Sequence, residues 1–254
     1  MRRRSAAQKD EFTRKSLASA AIAVAAVLAL ECFALDTSIG PVARAQTSLN
    51  CPVAFERLQY ELKDADEDDS TGLNNHYWAV VVNRQGTVCA VAYSGRDRDS
   101  QWLLNRQIAA AKAFTANGLS LDDAPISTGQ LYPWVQPGAP ANPLFGLAAG
   151  NPVNPDAAYE GNYNAFGTLN DPMVGQRVGG TITFGGGLAL YSRRDPVGGL
   201  GLSGDTACAD HSTAWRLRAN LRLAPPVPND TLTLNDTSGH PHCPNDHGTQ
   251  GATP

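Results

Sequence analysis

The sequence is poor in lysine, in aromatic side chains and in charge overall, and each scarcity excludes a class of protein. Charged residues are 17% and aromatic residues 7% of the 254, and 20 Lys and Arg stand against 24 Asp and Glu, for a net charge of −4. Polynucleotide binding needs clustered basic side chains, so this balance argues against a nucleic-acid partner. After residue 45 the only lysines are Lys63 and Lys112, which also leaves little attraction for anionic membranes.

The chain lacks an apolar run of the roughly 20 residues that cross a bilayer. The apolar stretch 17–30 follows a basic segment and precedes residues 43–45, Ala-Arg-Ala, which have the small-x-small pattern of a signal peptidase site. Residues 1–45 are therefore predicted to be a signal segment, with an uncleaved N-terminal anchor as the alternative. This predicts a periplasmic or extracellular protein without stable membrane insertion once the signal is removed.

No C-x-x-C pair occurs, which removes the commonest sequence signature of a zinc or redox site. Cys32 falls in the signal segment and four cysteines remain. An oxidising compartment pairs such an even set, and three connectivities are possible. We favour Cys51–Cys89 together with Cys208–Cys243, because each bond would tie one end of the chain to the core.

Hydrophobic residues make up 42% of the chain, enough to fill a core. Two pairs of short apolar segments, the first rich in β-branched and aromatic residues, indicate two β-hairpins, and three segments with helical periodicity lie around them. This order predicts an α/β two-layer sandwich, in which a mostly antiparallel sheet built from the two hairpins has helices packed on one face. The hairpins are expected at 77–83 with 87–93 and at 187–192 with 197–202, and the helices at 52–69, at 102–116, and from a cap at Asp205 or Thr206 to about Leu223.

The domain boundaries follow from composition. We expect one α/β domain over 46–224 and a tail rich in Pro, Asn and His over 225–254, fastened at Cys243. Within the domain, 118–180 is rich in loops and proline, with short helical turns near 128–135. A loop of this length commonly covers a site or forms an interface.

Two glycine-rich motifs overlap at the end of the second hairpin. Residues 199–204 match G-x-G-x-x-G, but the acidic residue expected about 20 positions later is absent, so close packing of a strand that runs into a helix is favoured. Residues 201–205 almost match G-x-S-x-G, with Asp205 in place of the last glycine. A serine hydrolase is also disfavoured because only His76 or His211 could act as its base.

Histidine is scarce, and His211 is the most informative of the five. On the last predicted helix it shares a face with Cys208 and Trp215. A neutral imidazole there could bind iron or donate a hydrogen bond, and a buried histidine satisfied by its neighbours is the alternative. Residues 240–243, His-Pro-His-Cys, with His247 beyond, look like a metal cluster, but the prolines and the location in the tail argue against a preformed site.

Four segments in order give a resemblance to a known family. They contain a hairpin with a central Asn-Arg-Gln-Gly turn, a helix with Lys-Ala-Phe-Thr-Ala, a Gly-Gly-Gly strand and a Gly-Leu-Ser-Gly turn between a strand and a helix. Together they resemble the haem-binding, "haem-degrading" domain family over about 52–223. The segments are 80–95, 109–116, 184–191 and 197–211.

The resemblance implies a two-layer α/β domain that forms homo-oligomers and binds haem or a similar tetrapyrrole. His211 is then the first candidate for the iron ligand, and Tyr93 and Met173 are weaker ones. A haem site also needs cations for the propionates, which arginine binds in a two-point fork. The candidates for that role are Lys112, Arg106 and Arg216.

The leading hypothesis is therefore an exported haem-binding protein that acts as a carrier or as the partner of a sensor. The sequence demonstrates no catalytic reaction, so whether the protein is an enzyme is left open. One alternative is an enzyme that acts on a small metabolite in a pocket under the 118–180 loop. The other is a structural oligomer without a ligand.

Overall fold

The computed structural model describes residues 49–137, 142, 144–232 and 239–245. The predicted signal segment 1–45, and with it the question of its cleavage, lies outside the described residues. Within the described ranges, no helix has both the length and the apolar character needed to cross a bilayer.

Helices and strands follow one another in the predicted order. Helix α1 precedes the first hairpin, α2 follows it, and the loop-rich stretch contains three short helices before the second hairpin leads into α6. The bounds are α1 Phe55–Glu67, β1 Trp78–Asn83, β2 Val88–Tyr93, α2 Leu104–Leu119, α3 Tyr132–Val135, α4 Leu147–Gly150, α5 Pro155–Tyr159, β3 Gly187–Ser192, β4 Asp195–Ser203 and α6 Ala207–Asn220.

The two hairpins join into one four-stranded sheet with the order β2-β1-β4-β3. All neighbouring strands are antiparallel, and β1 pairs with β4 over its whole length, with Trp78 opposite Ser203 and Asn83 opposite Gly198. This pairing confirms the predicted α/β class and the antiparallel sheet of two hairpins.

One detail differs from the prediction, because helices cover both faces of the sheet and not one. Alternate residues of β1 separate into two apolar clusters: Ala79 and Val81 pack with α1 and α6, whereas Val80 and Val82 pack with α2. Every residue of β1 and β2 is buried. Their sequences, WAVVVN and VCAVAY, lack alternating polar residues, as is typical of strands that are buried on both faces.

Glycines in β4 allow α2 to approach the sheet at backbone distance. A Cβ at Gly201 would overlap the Ala109 carbonyl oxygen and lie 2.6 Å from the Ala113 nitrogen, and one at Gly199 would overlap the Ala113 carbonyl oxygen. The motif at 199–204 is thus used for close packing of a strand against a helix, as the sequence predicted.

Both favoured disulfide bonds are present. Cys51 is bonded to Cys89 of β2 with a Cα–Cα distance of 5.5 Å, and Cys208 of α6 to Cys243 with 5.0 Å. Loops of 38 and 35 residues are closed, and in the chain-entropy model each closure stabilises the fold by about 4 kcal/mol. The predicted attachment of the tail at Cys243 is confirmed.

A second contact holds the tail near its start. Asp230 is fully buried and accepts hydrogen bonds from the Arg218 guanidinium of α6, with an Nη2–Oδ1 distance of 3.1 Å. Arg218 also donates to the Ala189 carbonyl of β3, at 3.1 Å. The described parts of the tail therefore pack against the core.

Candidate functional site

The five site residues predicted from the sequence do not converge on one place. Lys112 and His211 lie close enough to interact electrostatically. Arg106, Arg216 and Tyr93 each contact a different set of residues. The geometry of each residue decides what it can offer to a ligand.

His211 is a fully buried histidine. Neither ring nitrogen has a partner among the described residues, and the Trp215 ring lies 6.1 Å away. Burial lowers its pKa from 6.5 to about 3, and the positive charges of Arg218, His240 and Lys112 act in the same direction. The imidazole is therefore neutral, and neither its N–H nor its nitrogen lone pair has a partner in the described part of the chain.

This buried imidazole predicts acid-sensitive stability. The folded-state pKa lies below the unfolded value, so the stabilisation is present above about pH 6.5 and is lost as the pH falls towards 3. Between about pH 7.5 and about pH 5 we expect the free energy of unfolding to fall by about 2 kcal/mol from this group. Urea unfolding of wild type and His211→Gln at both pH values measures it, and an equal pH dependence of the two proteins would contradict the prediction.

Lys112 is fully buried and forms an ion pair with Asp210 of α6. Its Nζ lies 2.5 Å from Asp210 Oδ2 and 2.8 Å from the Leu202 carbonyl oxygen. The other Asp210 oxygen accepts hydrogen bonds from the Gly204 and Asp205 N–H groups, at 2.9 and 3.0 Å. Burial lowers the pKa of Lys112 and raises that of Asp210 to about 6. Lys112 thus joins α2 to α6 and is turned away from solvent.

Arg106 fastens the loop-rich stretch to α2. The buried guanidinium binds both oxygens of Asp171, with an Nε–Oδ2 distance of 3.0 Å, and donates to the Ala158 carbonyl at 2.6 Å. It also lies 3.8 Å from the centre of the Phe166 ring. Met173, the weaker ligand candidate, is fully buried beside this pair. The Arg106 guanidinium is therefore engaged within the protein.

Arg216 and Tyr93 contribute to packing between elements. Arg216 donates to the Ala65 carbonyl of α1 at 3.0 Å, which links α6 to α1. Tyr93 stacks on Trp78 with ring centres 4.6 Å apart, and its hydroxyl lies 3.0 Å from Ser100 Oγ. Tyr93 also borders an open cavity.

That cavity is part of a groove at the surface, where the end of α1 meets the segment after β2. The larger recess has a volume of about 460 Å³ and an adjoining one about 150 Å³, and the two share Lys63, Gly95 and Arg96. The larger recess is also lined by Asp66, Glu67, His76, Ser94, Asp97 and Ser100, and the smaller one by Gln59, Tyr93, Arg98, Phe166 and Gly167.

His76 is the titratable group best placed in this groove. Its Nδ1 lies 2.9 Å from Asp66 Oδ2, and the side chains are 51% and 16% exposed. A carboxylate only accepts hydrogen bonds, so the proton is assigned to Nδ1 and the lone pair to Nε2. Nε2 has no hydrogen-bond partner in the described part of the chain. Carboxylate support of one imidazole nitrogen is the usual arrangement for a histidine that binds a metal through the other.

Two cations in the groove are unpaired. Lys63 and Arg96 are exposed, and neither makes an ion pair or hydrogen bond with the residues that the structure describes. Arg98 is engaged, because it donates to the Asn164 carbonyl at 3.0 Å and lies over the Tyr163 ring. The groove therefore offers one imidazole nitrogen and two free positive charges, together with the exposed carboxylates of its lining.

Sequence reasoning did not find this arrangement, and treated His76 only as the base of a disfavoured hydrolase. The available signal was Asp66, at the acidic end of α1, ten residues before a histidine that precedes a strand. The sequence does not show that the segment between α1 and β1 folds back and brings His76 to Asp66. Asp205 fixes that turn by accepting hydrogen bonds from the Leu73 and Asn75 N–H groups, at 2.8 and 3.1 Å.

The fold and the groove define a mixed α/β protein that carries a carboxylate-supported histidine just before β1 of an antiparallel sheet. Residues 64–217, more than half of the chain, match the family described as haem-degrading protein HbpS-like, and the chain belongs to this family. The family resemblance seen in the sequence is thereby confirmed.

Two solved structures are similar to this chain. PduOC in complex with haem is 24% identical, with a TM-score of 0.43, over 66% of this chain and 95% of its own. The Klebsiella pneumoniae protein ORFY is 22% identical, with a TM-score of 0.42, over 65% and 88%. No match was found among curated proteins.

Proposed function

We propose that this protein binds haem, or a related tetrapyrrole, in the groove beside His76, and that it serves as a carrier or as the partner of a sensor. The observation that carries the proposal is the His76 imidazole, exposed to solvent and supported by Asp66 at 2.9 Å. Membership of the HbpS-like family supports the same ligand class. No turnover step is part of the proposal.

The residues present fit the needs of such a ligand. Haem iron accepts an imidazole nitrogen as an axial ligand, and His76 offers Nε2 for that bond. The Asp66 carboxylate holds the tautomer that leaves Nε2 unprotonated, and it makes the imidazole a stronger donor. Both effects act before any ligand arrives, so the site is organised in advance.

The remaining groups of the groove suit the periphery of a tetrapyrrole. Lys63 and Arg96 are free to pair with the propionates, and an arginine can do so through two parallel hydrogen bonds. Tyr93 and Phe166 border the adjoining recess, but they are only 5% and 4% exposed and offer little surface to a flat ring.

His211, the first candidate from the sequence, is the alternative iron ligand. Its unpartnered nitrogens suit a metal, but the imidazole is fully buried, and a haem would have to open the core to reach it. Lys112 and Arg106, its candidate propionate partners, are committed to Asp210 and Asp171. We therefore place His76 first.

A haem titration of the protein beginning at Gln46, followed by absorbance, tests the proposal. Wild type is expected to show a saturable Soret shift at one haem per chain. His76→Ala is expected to change the spectrum and weaken binding at least about tenfold, because the iron loses its axial ligand. Asp66→Asn is expected to weaken binding about 10-fold to 100-fold through its effect on the imidazole.

His242→Ala, which removes an exposed histidine of the tail, is the matched control and should titrate like wild type. If His211→Ala alters the spectrum and His76→Ala does not, the ligand is His211. A weak, non-saturating change with wild type would overturn haem binding altogether.

We propose further that the protein works outside the cytoplasm and forms homo-oligomers. The two disulfide bonds support an oxidising compartment. Cell fractionation and light scattering of the purified mature chain measure the two properties. A reduced protein found in the cytoplasm would contradict the proposed location. A monomer at working concentration would contradict the proposed homo-oligomer.

A further inference from the structure

The imidazole of His76 packs against Gly95, a residue without a side chain that lines both recesses of the groove. A Cβ at Gly95 would lie 2.8 Å from His76 Cδ2 and 2.7 Å from Tyr93 Cε1. Carbon atoms that are not bonded to each other pack at about 3.5–4.0 Å. The two rings therefore fill the space that a side chain at this position would need.

The backbone conformation does not require a glycine at this position. The φ of Gly95 lies outside the left-handed region, so an alanine could adopt the same conformation without strain. The rings of His76 and Tyr93 meet edge to face, with centres 6.2 Å apart. The arrangement of these rings is therefore what a side chain at Gly95 would disturb.

The two rings differ in how freely they can move. Tyr93 is buried, stacks on Trp78 with ring centres 4.6 Å apart, and has its hydroxyl 3.0 Å from Ser100 Oγ. The His76 side chain is 51% exposed. A methyl group added at Gly95 would therefore displace the imidazole and leave the tyrosine in place.

The backbone around His76 is held by hydrogen bonds. The His76 carbonyl accepts from Gln101 Nε2 at 2.6 Å. The next residue, Tyr77, donates its N–H to Ser94 Oγ at 2.8 Å, and its carbonyl accepts from the Ser94 N–H at 3.0 Å. The imidazole can therefore yield only by turning about its own side-chain bonds.

We propose that Gly95 is a positioning residue of the groove, whose missing side chain lets the imidazole keep the orientation in which Nδ1 donates to Asp66 and Nε2 stays open. The imidazole is one rigid ring, so turning Cδ2 away from Gly95 also moves Nδ1. The 2.9 Å contact with Asp66 is then lengthened or broken. This role rests on the proposed binding of a tetrapyrrole at Nε2, because a carboxylate that orients an imidazole strengthens its bond to a metal.

The orientation of the imidazole can be measured without any ligand. In the ¹⁵N-labelled protein beginning at Gln46, the ring nitrogens of His76 are assigned by comparison with His76→Gln, at about pH 8.5, where an ordinary histidine is neutral. Wild type is expected to show the Nδ1–H tautomer. Gly95→Ala is expected to shift both ring nitrogen signals towards the mixture of tautomers of an imidazole without a partner. Unchanged signals would overturn the proposal.

Haem titration measures the consequence for binding. Gly95→Ala is expected to weaken binding about tenfold, the smaller of the effects that follow the loss of a group supporting a metal ligand. In the Asp66→Asn background the same substitution should change the affinity less than about twofold, because the contact that it disturbs is already gone. A second tenfold loss in that background would mean that the methyl group simply blocks the ligand, and the positioning role would be wrong.

Gly118→Ala is the matched control, because a Cβ at Gly118 would meet nothing within 4 Å. It should have the ring nitrogen signals and the haem affinity of wild type. Gly95→Ala should unfold at nearly the same urea concentration as wild type, and a large loss of stability would show that Tyr93 is displaced, contrary to the proposal. If wild type binds no haem, the proposed function fails, whereas the tautomer of His76 still decides the role of Gly95.

Discussion

Replacement of Gly201 by alanine is expected to destabilise the protein by more than about 4 kcal/mol, or to prevent folding. The added Cβ would overlap the carbonyl oxygen of Ala109 and come within 2.6 Å of the Ala113 nitrogen. Both are backbone atoms of α2 and cannot move aside as a flexible side chain can. Helix α2 would have to separate from β4, and this contact positions α2 on its face of the sheet. Urea unfolding monitored by circular dichroism measures the effect.

Gly118→Ala is the matched control for this experiment. Gly118 lies near the end of α2, and a Cβ there would meet nothing within 4 Å. Alanine is favoured over glycine inside a helix by about 0.5–1 kcal/mol, so this variant should be slightly more stable than wild type. If Gly201→Ala and Gly118→Ala changed the stability by similar amounts, the close packing of α2 on Gly201 would not be the reason for the glycine.

The second large effect is expected at the buried pair of Lys112 and Asp210. Lys112→Met should destabilise the protein by about 3–5 kcal/mol, because it leaves the Asp210 carboxylate buried without its cation. The raised pKa of Asp210, about 6 even with the lysine present, shows how strongly burial already disfavours its charge. Denaturant unfolding near neutral pH measures the loss.

A double variant separates the pair from the packing around it. Asp210→Asn keeps an oxygen that can accept from the Gly204 and Asp205 N–H groups. In the Lys112→Met background it should restore about 1–3 kcal/mol, since the uncompensated charge is gone. If the stability losses of the two single variants simply added up in the double variant, Lys112 and Asp210 would act independently. That result would contradict the ion pair.

The sequence predicted the local elements well because they depend on spacing that can be read directly. Apolar runs indicated both hairpins, and a Thr206 side chain that accepts from the Ala209 N–H begins α6 where a cap was expected. The coverage of the sheet was predicted less well. The alanine-rich α2 and the glycines of β4 occupy the second face, and their contact depends on segments about 90 residues apart, such as Lys112 and Leu202.

The candidate site was predicted less well for a related reason. Charged residues were predicted to bind the ligand because of their chemical type. Whether each one is free to do so depends on partners that lie far away in the sequence. Arg106 pairs with Asp171, 65 residues later, and this removes it from the surface. His76 gains its role from a carboxylate ten residues earlier, which only the turn between α1 and β1 brings to 2.9 Å.

By itself, the sequence determined the class of fold and the family, and it favoured one of the three possible pairings of the four cysteines. These follow from the periodicity of apolar residues, from the parity and placement of cysteines, and from an ordered set of short motifs. Only the tertiary structure decided which charged and imidazole groups are satisfied within the protein and which remain open to a ligand. A hydrogen bond or ion pair requires two atoms within about 3–4 Å, and for groups far apart in the chain that distance is set by how the helices pack on the sheet.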